Sequence, residues 1–381
     1  MIVKDTEIPK ISKTLCLRLL TDLENARRPV LEAIKCSLDN SKYSPSVGYL
    51  TPGSKRVRTE LNVASVQKMS RAIFLLEILL RNLETGAVNT KRELYYICKG
   101  EIKHSPDLAP LDFADQDESD SIIDFLCEIM ECYREDLNCY ANDRGGQTYS
   151  QQLVVTESLS DGTKAEVDLG SLGTSPFQPK NRPQSLKLKA KRKIDFCLVV
   201  ESEGTANTFV TNGFCKRNAC ILIGAQGVPS NAVRGWSKLI QDQLKVPIFF
   251  FGDLDAYTLQ NIYRTLKAGS AASLIRNSDF SAPDVHFLGV LPEDIKKYDL
   301  SDYPVRETDI QEARALKKAA DALKNDPFFR DRKNRGVSKI LEWLLKNKRR
   351  CEQQAYFTVD PRDPTMPEKI IVEKIKKGDY L

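Results

Sequence analysis

The chain has only two histidines in 381 residues, His104 and His286. Histidine-based acid–base or metal chemistry is therefore poorly supplied, and carboxylates and phenols must carry any such work. No apolar run approaches the roughly 20 residues that a membrane-spanning helix needs. The opening "MIVKDTEIPKISKTL" scatters charges among its apolar residues and shows no secretory pattern, so the expected setting is intracellular. Ten cysteines are spread without a close CxxC pair, which argues against structural zinc and a disulfide framework and for reduced thiols. Three of them, Cys127, Cys132 and Cys139, fall in text that reads as one helix. No G-x-x-x-x-G-K-[ST] occurs, which leaves ATP hydrolysis by this chain without its usual phosphate cradle.

What is present is ordinary globular text, 41% hydrophobic and 29% charged, long enough for two domains. The net charge of +5, from 57 Lys and Arg against 52 Asp and Glu, is too mild to demand a polyanionic partner. Its distribution is uneven. Basic runs lie at Lys55–Arg58, Lys187–Lys193 and Lys346–Arg350, and an acidic one at Asp112–Asp120, each taken singly a solvated surface.

Residues 1–61 carry turn signals at "NSKYSPSVGYLTPGS" and read as an N-terminal extension. From Asn62, "NVASVQKMSRAIFLLEILLRNLETG" spaces its apolar residues helically and stops at a glycine. Thr90 and Glu93 form a T-x-x-E capping box that opens a second helix. A third is expected from Ser119 or Asp120 to just before "RGG", followed by strand text in "QTYSQQLVVTES". Over 62–160 this is the order of a winged-helix DNA-binding unit, shared with other helical modules. "LGSLGTSPFQPKNRPQ" marks a linker over 161–190. Over 191–381 the fully apolar runs "IDFCLVV", "ACILIGA", "KVPIFFFGD" and "DVHFLGV" alternate with helical text, so the fold class is α+β and α/β multidomain with a mostly parallel buried sheet.

In such a sheet, ligands collect beyond the carboxyl ends of the strands. There the first run leads into Glu201 and the third into Asp253 and Asp255, whose spacing of two puts both on one face of extended chain. Three acids make an oxygen-rich pocket suited to Mg²⁺. One acid alone at a strand end would be read as a helix cap. "GAQGVPSN" (Gly224–Asn231) reads as a plain strand-to-helix turn.

In "NTKRELYYICKG", Leu94, Ile97 and Cys98 share one helix face, and Arg92 and Tyr96 lie opposite it, one turn apart. Tyr96 is thus an exposed phenol beside a cation. A phenol of pKa about 10 attacks poorly at neutral pH unless positive charge or a base assists it. From the helix alone, ordinary aromatic packing is the commoner role.

"TKRELYYICKG" resembles the tyrosine motif shared by the A subunit of DNA topoisomerase VI and its relative, the meiotic double-strand-break transesterase. "FCLVVESEGTANTFVTNGF", "PIFFFGDLDAYTLQNIYRTLKAGSAAS", "PDVHFLGV" and "CEQQAYF…PEKI" resemble later segments of that family, in the same order, as does the "DESDSII" helix start. The resemblance implies a winged-helix domain followed by a Toprim domain that holds Mg²⁺. By position it makes Tyr96 the nucleophile, Arg92 its transition-state helper, and Glu201, Asp253 and Asp255 the metal carboxylates. It also implies duplex DNA as substrate, a homodimer in which Tyr96 of one protomer meets the acids of the other, and an ATP-binding B subunit in an A2B2 complex that the extension contacts. In a prokaryote the enzyme would be associated with the nucleoid. Two departures stand out. The family reads Asp-Pro-Tyr/Trp-Gly where this chain has Asp255, Ala256, Tyr257 and Thr258, and "ESEGTA" lacks a phenylalanine usual after the glutamate. A transesterase that initiates recombination and a non-catalytic DNA-binding scaffold are the alternative readings.

Overall fold

Three stretches of helically spaced apolar residues after Asn62 become three helices, because each can bury one face against the others. In the computed structural model, which describes residues 7–140, 145–159, 162–179, 183–306 and 309–381, they belong to the first of two compact units. That unit joins Met1–Cys36 to Pro52–Asn142, and the second joins Ser37–Thr51 to Asp143–Leu381.

The first unit runs α1 (Ile8–Glu24), β1 (Val30–Ile34), β4 (Arg56–Glu60), α2 (Val66–Thr85), β5 (Asn89–Thr90), α3 (Lys91–His104), α4 (Gln116–Met130) and β6 (Cys139–Tyr140). α2 stops at Gly86, which takes φ 70° as a left-handed cap that glycine adopts without strain. α4 starts earlier than Ser119, because Asp115 caps it by accepting from Glu118 N at 3.0 Å. It also ends earlier than expected, at Met130, where Glu131 turns left-handed at φ 51°. Cys132 therefore lies beyond the helix and Cys139 sits in β6, not in one continuous helix with Cys127. β5 and β6 pair in parallel, Asn89 opposite Cys139.

The expected extension is divided between the units. Ile8, Leu15, Leu19 and Leu31 join the same buried cluster as Leu75, Leu79, Leu94 and Phe125, and each buried side chain of this size contributes about 1.5–3 kcal/mol. The intervening β2 (Ser41–Ser44) and β3 (Tyr49–Pro52) form a hairpin. Ser37–Thr51 belongs to the second unit: Asn277 Nδ2 donates to Leu50 O at 3.0 Å, and the Tyr43 ring packs edge-on to Phe328 at 5.6 Å.

The second unit is built on a five-stranded sheet. Its strands are β7 (Gln147–Ser150), β11 (Phe196–Val200), β12 (Cys220–Gly224), β13 (Ile248–Phe251) and β14 (Val285–Gly289), in the order β14-β13-β11-β12-β7. The last four in sequence are parallel, as the apolar runs predict. β7 closes one edge antiparallel to β12. β11, β12 and β13 are buried along their whole length, so no alternation of polar residues is tolerated in them. A separate antiparallel sheet comprises β8 (Leu153–Ser158), β9 (Lys164–Asp168) and β10 (Lys187–Ala190), with β8 in the middle. The boundaries at 160 and 190 shift accordingly. "QTYS" supplies the missing edge of the large sheet, and the linker span contains two strands whose backbone groups pair with β8. Helices α5 (Glu203–Thr211) and α7 (Asn231–Leu244), with the short α6 (Phe214–Arg217) between them, follow β11 and β12. Parallel strands bring their carboxyl ends to one edge, and Glu201 and Asp253 leave adjacent strands there. All ten cysteines are free thiols. Among the described residues no helix is long and apolar enough to cross a membrane.

Candidate active site

The capping box that opens α3 forms as the sequence predicts. Thr90 Oγ1 accepts from Glu93 N at 3.2 Å, and Glu93 Oε2 accepts from Thr90 N at 2.6 Å. Both orphan donors at the helix start are thereby satisfied, which fixes the rotation of the first turn. Leu94 and Cys98 are fully buried, and Arg92 and Tyr96 point outward. The two tyrosines take different roles. Tyr95 is half-buried, and Lys99 Nζ lies 5.5 Å from its ring while reaching Phe113 O at 2.6 Å and Asp112 at 2.7 Å. Tyr96 is 58% exposed, and its ring meets that of Tyr95 edge-on, at 5.3 Å between centroids. Among the described residues no ion pair engages Arg92 and no hydrogen bond engages the Tyr96 hydroxyl, so both are available to a ligand.

In the second unit the sheet assembles Glu201, Asp253 and Asp255. Glu201 leaves β11, and its Oε2 accepts from Asp253 N at 3.1 Å. Asp253 Oδ1 accepts from Gln353 N at 2.8 Å, and Asp255 Oδ1 from Thr258 N at 2.6 Å. Leu254, fully buried between the two aspartates, bridges to Cys351 in both directions, N to O at 2.8 Å and O to N at 3.2 Å. The extended segment therefore turns Asp253 and Asp255 to the opposite side from Leu254, as a spacing of two requires. The closeness of the three is written into their protonation. Burial pushes Glu201 up to about 8, and the charges of Asp253 and Asp255 add to it, against the Asp253 N–H and Thr258 donors. Asp253 is pushed up to about 6, by burial first; the Gln353 N–H opposes this, the Asp255 and Glu352 charges add to it and Arg350 opposes. Asp255 is raised by burial, with the Thr258 donors and Arg350 opposing.

The donor chemistry fits a hard divalent cation: three half-buried carboxylates destabilise one another's charge, and positive charge between them relieves that cost. Among the described residues no group of three or more His, Cys, Asp or Glu side chains is gathered closely enough to hold a metal ion. Each of the three carboxylates accepts from an N–H or O–H donor. Mg²⁺ needs only one or two carboxylates, with waters and phosphate oxygens completing its octahedron.

The altered turn after Asp255 is well formed. Ala256 starts a helical stretch that continues through Tyr257, at φ −70° and ψ −48°, into Thr258. Alanine suits a first helical turn, and no left-handed residue is required. Sequence reasoning missed four supporting positions. Thr258 and Gln353 supply donors, and Arg350 lies near both aspartates while pairing with Glu312 at 3.5 Å and Glu352 at 3.3 Å. Gly252 leaves room for the site, since a Cβ there would meet Glu201 Oε2 and the Phe250 ring, both at 2.6 Å, and the carboxylate would have to shift. Only the glycine left a signal, as the break between "FFF" and the first aspartate. A cavity of about 200 Å³ opens beside Asp255, lined also by Tyr257, Gln311, Glu312, Leu316 and Arg350.

Residues 196–373 match the family described as the Toprim domain of Spo11 and of the topoisomerase 6 A subunit. Residues 67–139 match the family described as type IIB DNA topoisomerase. The first span begins at β11 and includes all three acids, and the second holds Arg92 and Tyr96. The A subunit of type 2 DNA topoisomerase 6 from Methanocaldococcus jannaschii is 31% identical over 362 residues, covering 93% of this chain and 92% of the relative. That of Natronomonas pharaonis is 30% identical over 298 residues, 78% of this chain and 76% of the relative. That of Pyrococcus horikoshii is 26% identical over 383 residues, 98% and 95%.

Proposed function

The chain belongs to the family of topoisomerase 6 A subunits, and from that membership we propose that it is the DNA-cleaving and rejoining subunit of a type IIB topoisomerase. The observation that supports this most is the gathering of Glu201, Asp253 and Asp255 at the carboxyl ends of adjacent parallel strands, within the Toprim span. The phenol oxygen of Tyr96 attacks a backbone phosphorus and loses its proton. The bond from phosphorus to the 3′ sugar oxygen breaks, that oxygen takes up a proton, and a 5′-phosphotyrosyl link remains. One phosphodiester replaces another, so cutting consumes no energy and resealing is the reverse attack by the 3′ hydroxyl. Arg92, exposed one turn before Tyr96, places its guanidinium against the charge that develops on the phosphate oxygens. Glu201, Asp253 and Asp255 would hold Mg²⁺, which when bound would supply further positive charge there.

The helical unit acts as a winged-helix domain that presents Tyr96 to the duplex. Two copies of the chain form the cleaving unit, with Tyr96 of one copy served by the acids of the other so that the two tyrosines cut opposite strands. An ATP-binding B subunit, in an A2B2 complex contacted by the N-terminal segment, drives strand passage. In a prokaryote the complex works on the nucleoid.

Mg²⁺-dependent covalent capture of labelled duplex DNA tests the reading. Wild type retains label through denaturation, and Tyr96→Phe retains none. A protein that captures no DNA under any divalent cation is a scaffold. Mixing chains tests the exchange of active sites: Tyr96→Phe and Glu201→Ala chains, each inactive alone, regain single-strand capture when combined, because one copy contributes an intact tyrosine and the other intact acids. No regain places both halves in one chain.

A further inference from the structure

Thr258 is fully buried, and its side chain and backbone engage two of the three acids at once. Its Oγ1 donates to Glu201, lying 3.2 Å from Oε1 and 3.0 Å from Oε2, and its N–H donates to Asp255 Oδ1 at 2.6 Å. A hydroxyl has one proton, so the donation is shared between the two Glu201 oxygens. Glu201 and Asp255 leave different strands and repel one another. Among the described residues Thr258 donates to both.

We infer that Thr258 is a positioning residue for the cation site: its hydroxyl holds the Glu201 carboxylate facing the aspartates, while its amide fixes Asp255 at the start of the same helical turn. This deepens the proposed function and rests on its assignment of these acids as cation ligands. A carboxylate without that donor is free to rotate away from its two charged neighbours, and a cation must then restore its orientation on binding. The neighbouring donors do not substitute for it. Gln353 N serves Asp253, and Asp253 N reaches only Glu201 Oε2. Thr258 touches neither the cation nor the scissile phosphate in this scheme, so its effect reads first in affinity for the ion.

The test uses the full-length chain with Mn²⁺ alone, counting free ion by electron paramagnetic resonance in the absence of DNA. Glu201→Gln and Asp253→Asn serve as controls for the site, and melting curves confirm folding of each variant. Thr258→Val, which keeps the shape and removes the hydroxyl, weakens Mn²⁺ binding by about five-fold, the scale of one hydrogen bond. Thr258→Ser restores wild-type affinity. Should the valine variant melt below the assay temperature, Thr258→Ala carries the same comparison with serine. Valine or alanine binding as tightly as wild type overturns the inference, as does serine binding as weakly as valine. If wild type binds no Mn²⁺, or the Glu201 and Asp253 controls bind it undiminished, the cation-site assignment fails and the inference falls with it. A loss in Thr258→Val against sensitive controls upholds both.

Discussion

In the helical unit the phenol of Tyr96 stands 58% exposed one turn from an exposed Arg92, whereas in the sheet unit three half-buried carboxylates each hold a protein donor. One half of the chemistry is presented and the other is enclosed. On the proposed mechanism the difference follows from what each group must do. A nucleophile has to reach phosphorus in a duplex that arrives from outside, and a short rigid helix with a satisfied capping box offers it without a flexible arm. The acids have to be held close together despite repulsion, which takes strand ends and backbone donors. On the proposed mechanism neither half is competent alone, since the tyrosine and the acids belong to different units.

Disabling the enclosed half gives the largest effect. Glu201→Gln keeps the shape and removes a charge, and capture of DNA falls about 10³-fold, on the scale of losing a principal electrostatic group. A variant with undiminished capture would remove the acids from the chemistry. Next comes the presented half. Arg92→Ala lowers the rate of capture by about 10²-fold with an unchanged melting temperature, because the side chain is exposed. A large drop in melting temperature would show Arg92 to be structural instead.

The acids also set a pH signature that the presented half lacks. Folding raises Glu201 from 4.5 to about 8 and Asp253 from 3.8 to about 6. These groups therefore favour the metal-free fold below their unfolded values, and that contribution is lost as pH rises through about 6 and then about 8. Bound Mg²⁺ competes with the same protons. The gain in melting temperature on adding Mg²⁺ should grow from about pH 6 to about pH 8.5, read by calorimetry at each pH. A gain independent of pH would place the ion elsewhere. The smallest effect belongs to the platform. Thr90→Ala removes the α3 cap and costs the helical unit about 1 kcal/mol, visible as a lower melting temperature with Mn²⁺ affinity unchanged.

These two halves differ too in how far they could be read from residues. The capping box, the outward Tyr96 and the four buried parallel strands follow from local pattern, because caps and apolar runs act within one element. The acids at the strand ends follow from the same rule. What escaped reading was long-range pairing. "QTYS" alternates like any edge strand, and nothing in its own residues says that its partner is β12, some 70 positions later. Ser37–Thr51 carries turn text that is silent about Asn277, whose side chain reaches Leu50. Lys187–Ala190 looks like a solvated basic run and is one, yet its backbone completes a sheet with β8. α4 ends without a glycine, at a left-handed glutamate that no stop signal announces. Thr258 and Gln353 act on the acids through a short side chain and a backbone amide, roles that residue type alone does not advertise.

Mapping the covalent bond tests the central claim most directly. Wild-type protein is trapped on labelled DNA with Mg²⁺, digested, and the peptide that carries the nucleotide is sequenced by mass spectrometry. The expected adduct lies on Tyr96 with a 5′ phosphate linkage and disappears on chelating the metal. An adduct on Tyr95 or any other residue, or one that forms equally without a divalent ion, would contradict attack by this phenol at an acid-held cation.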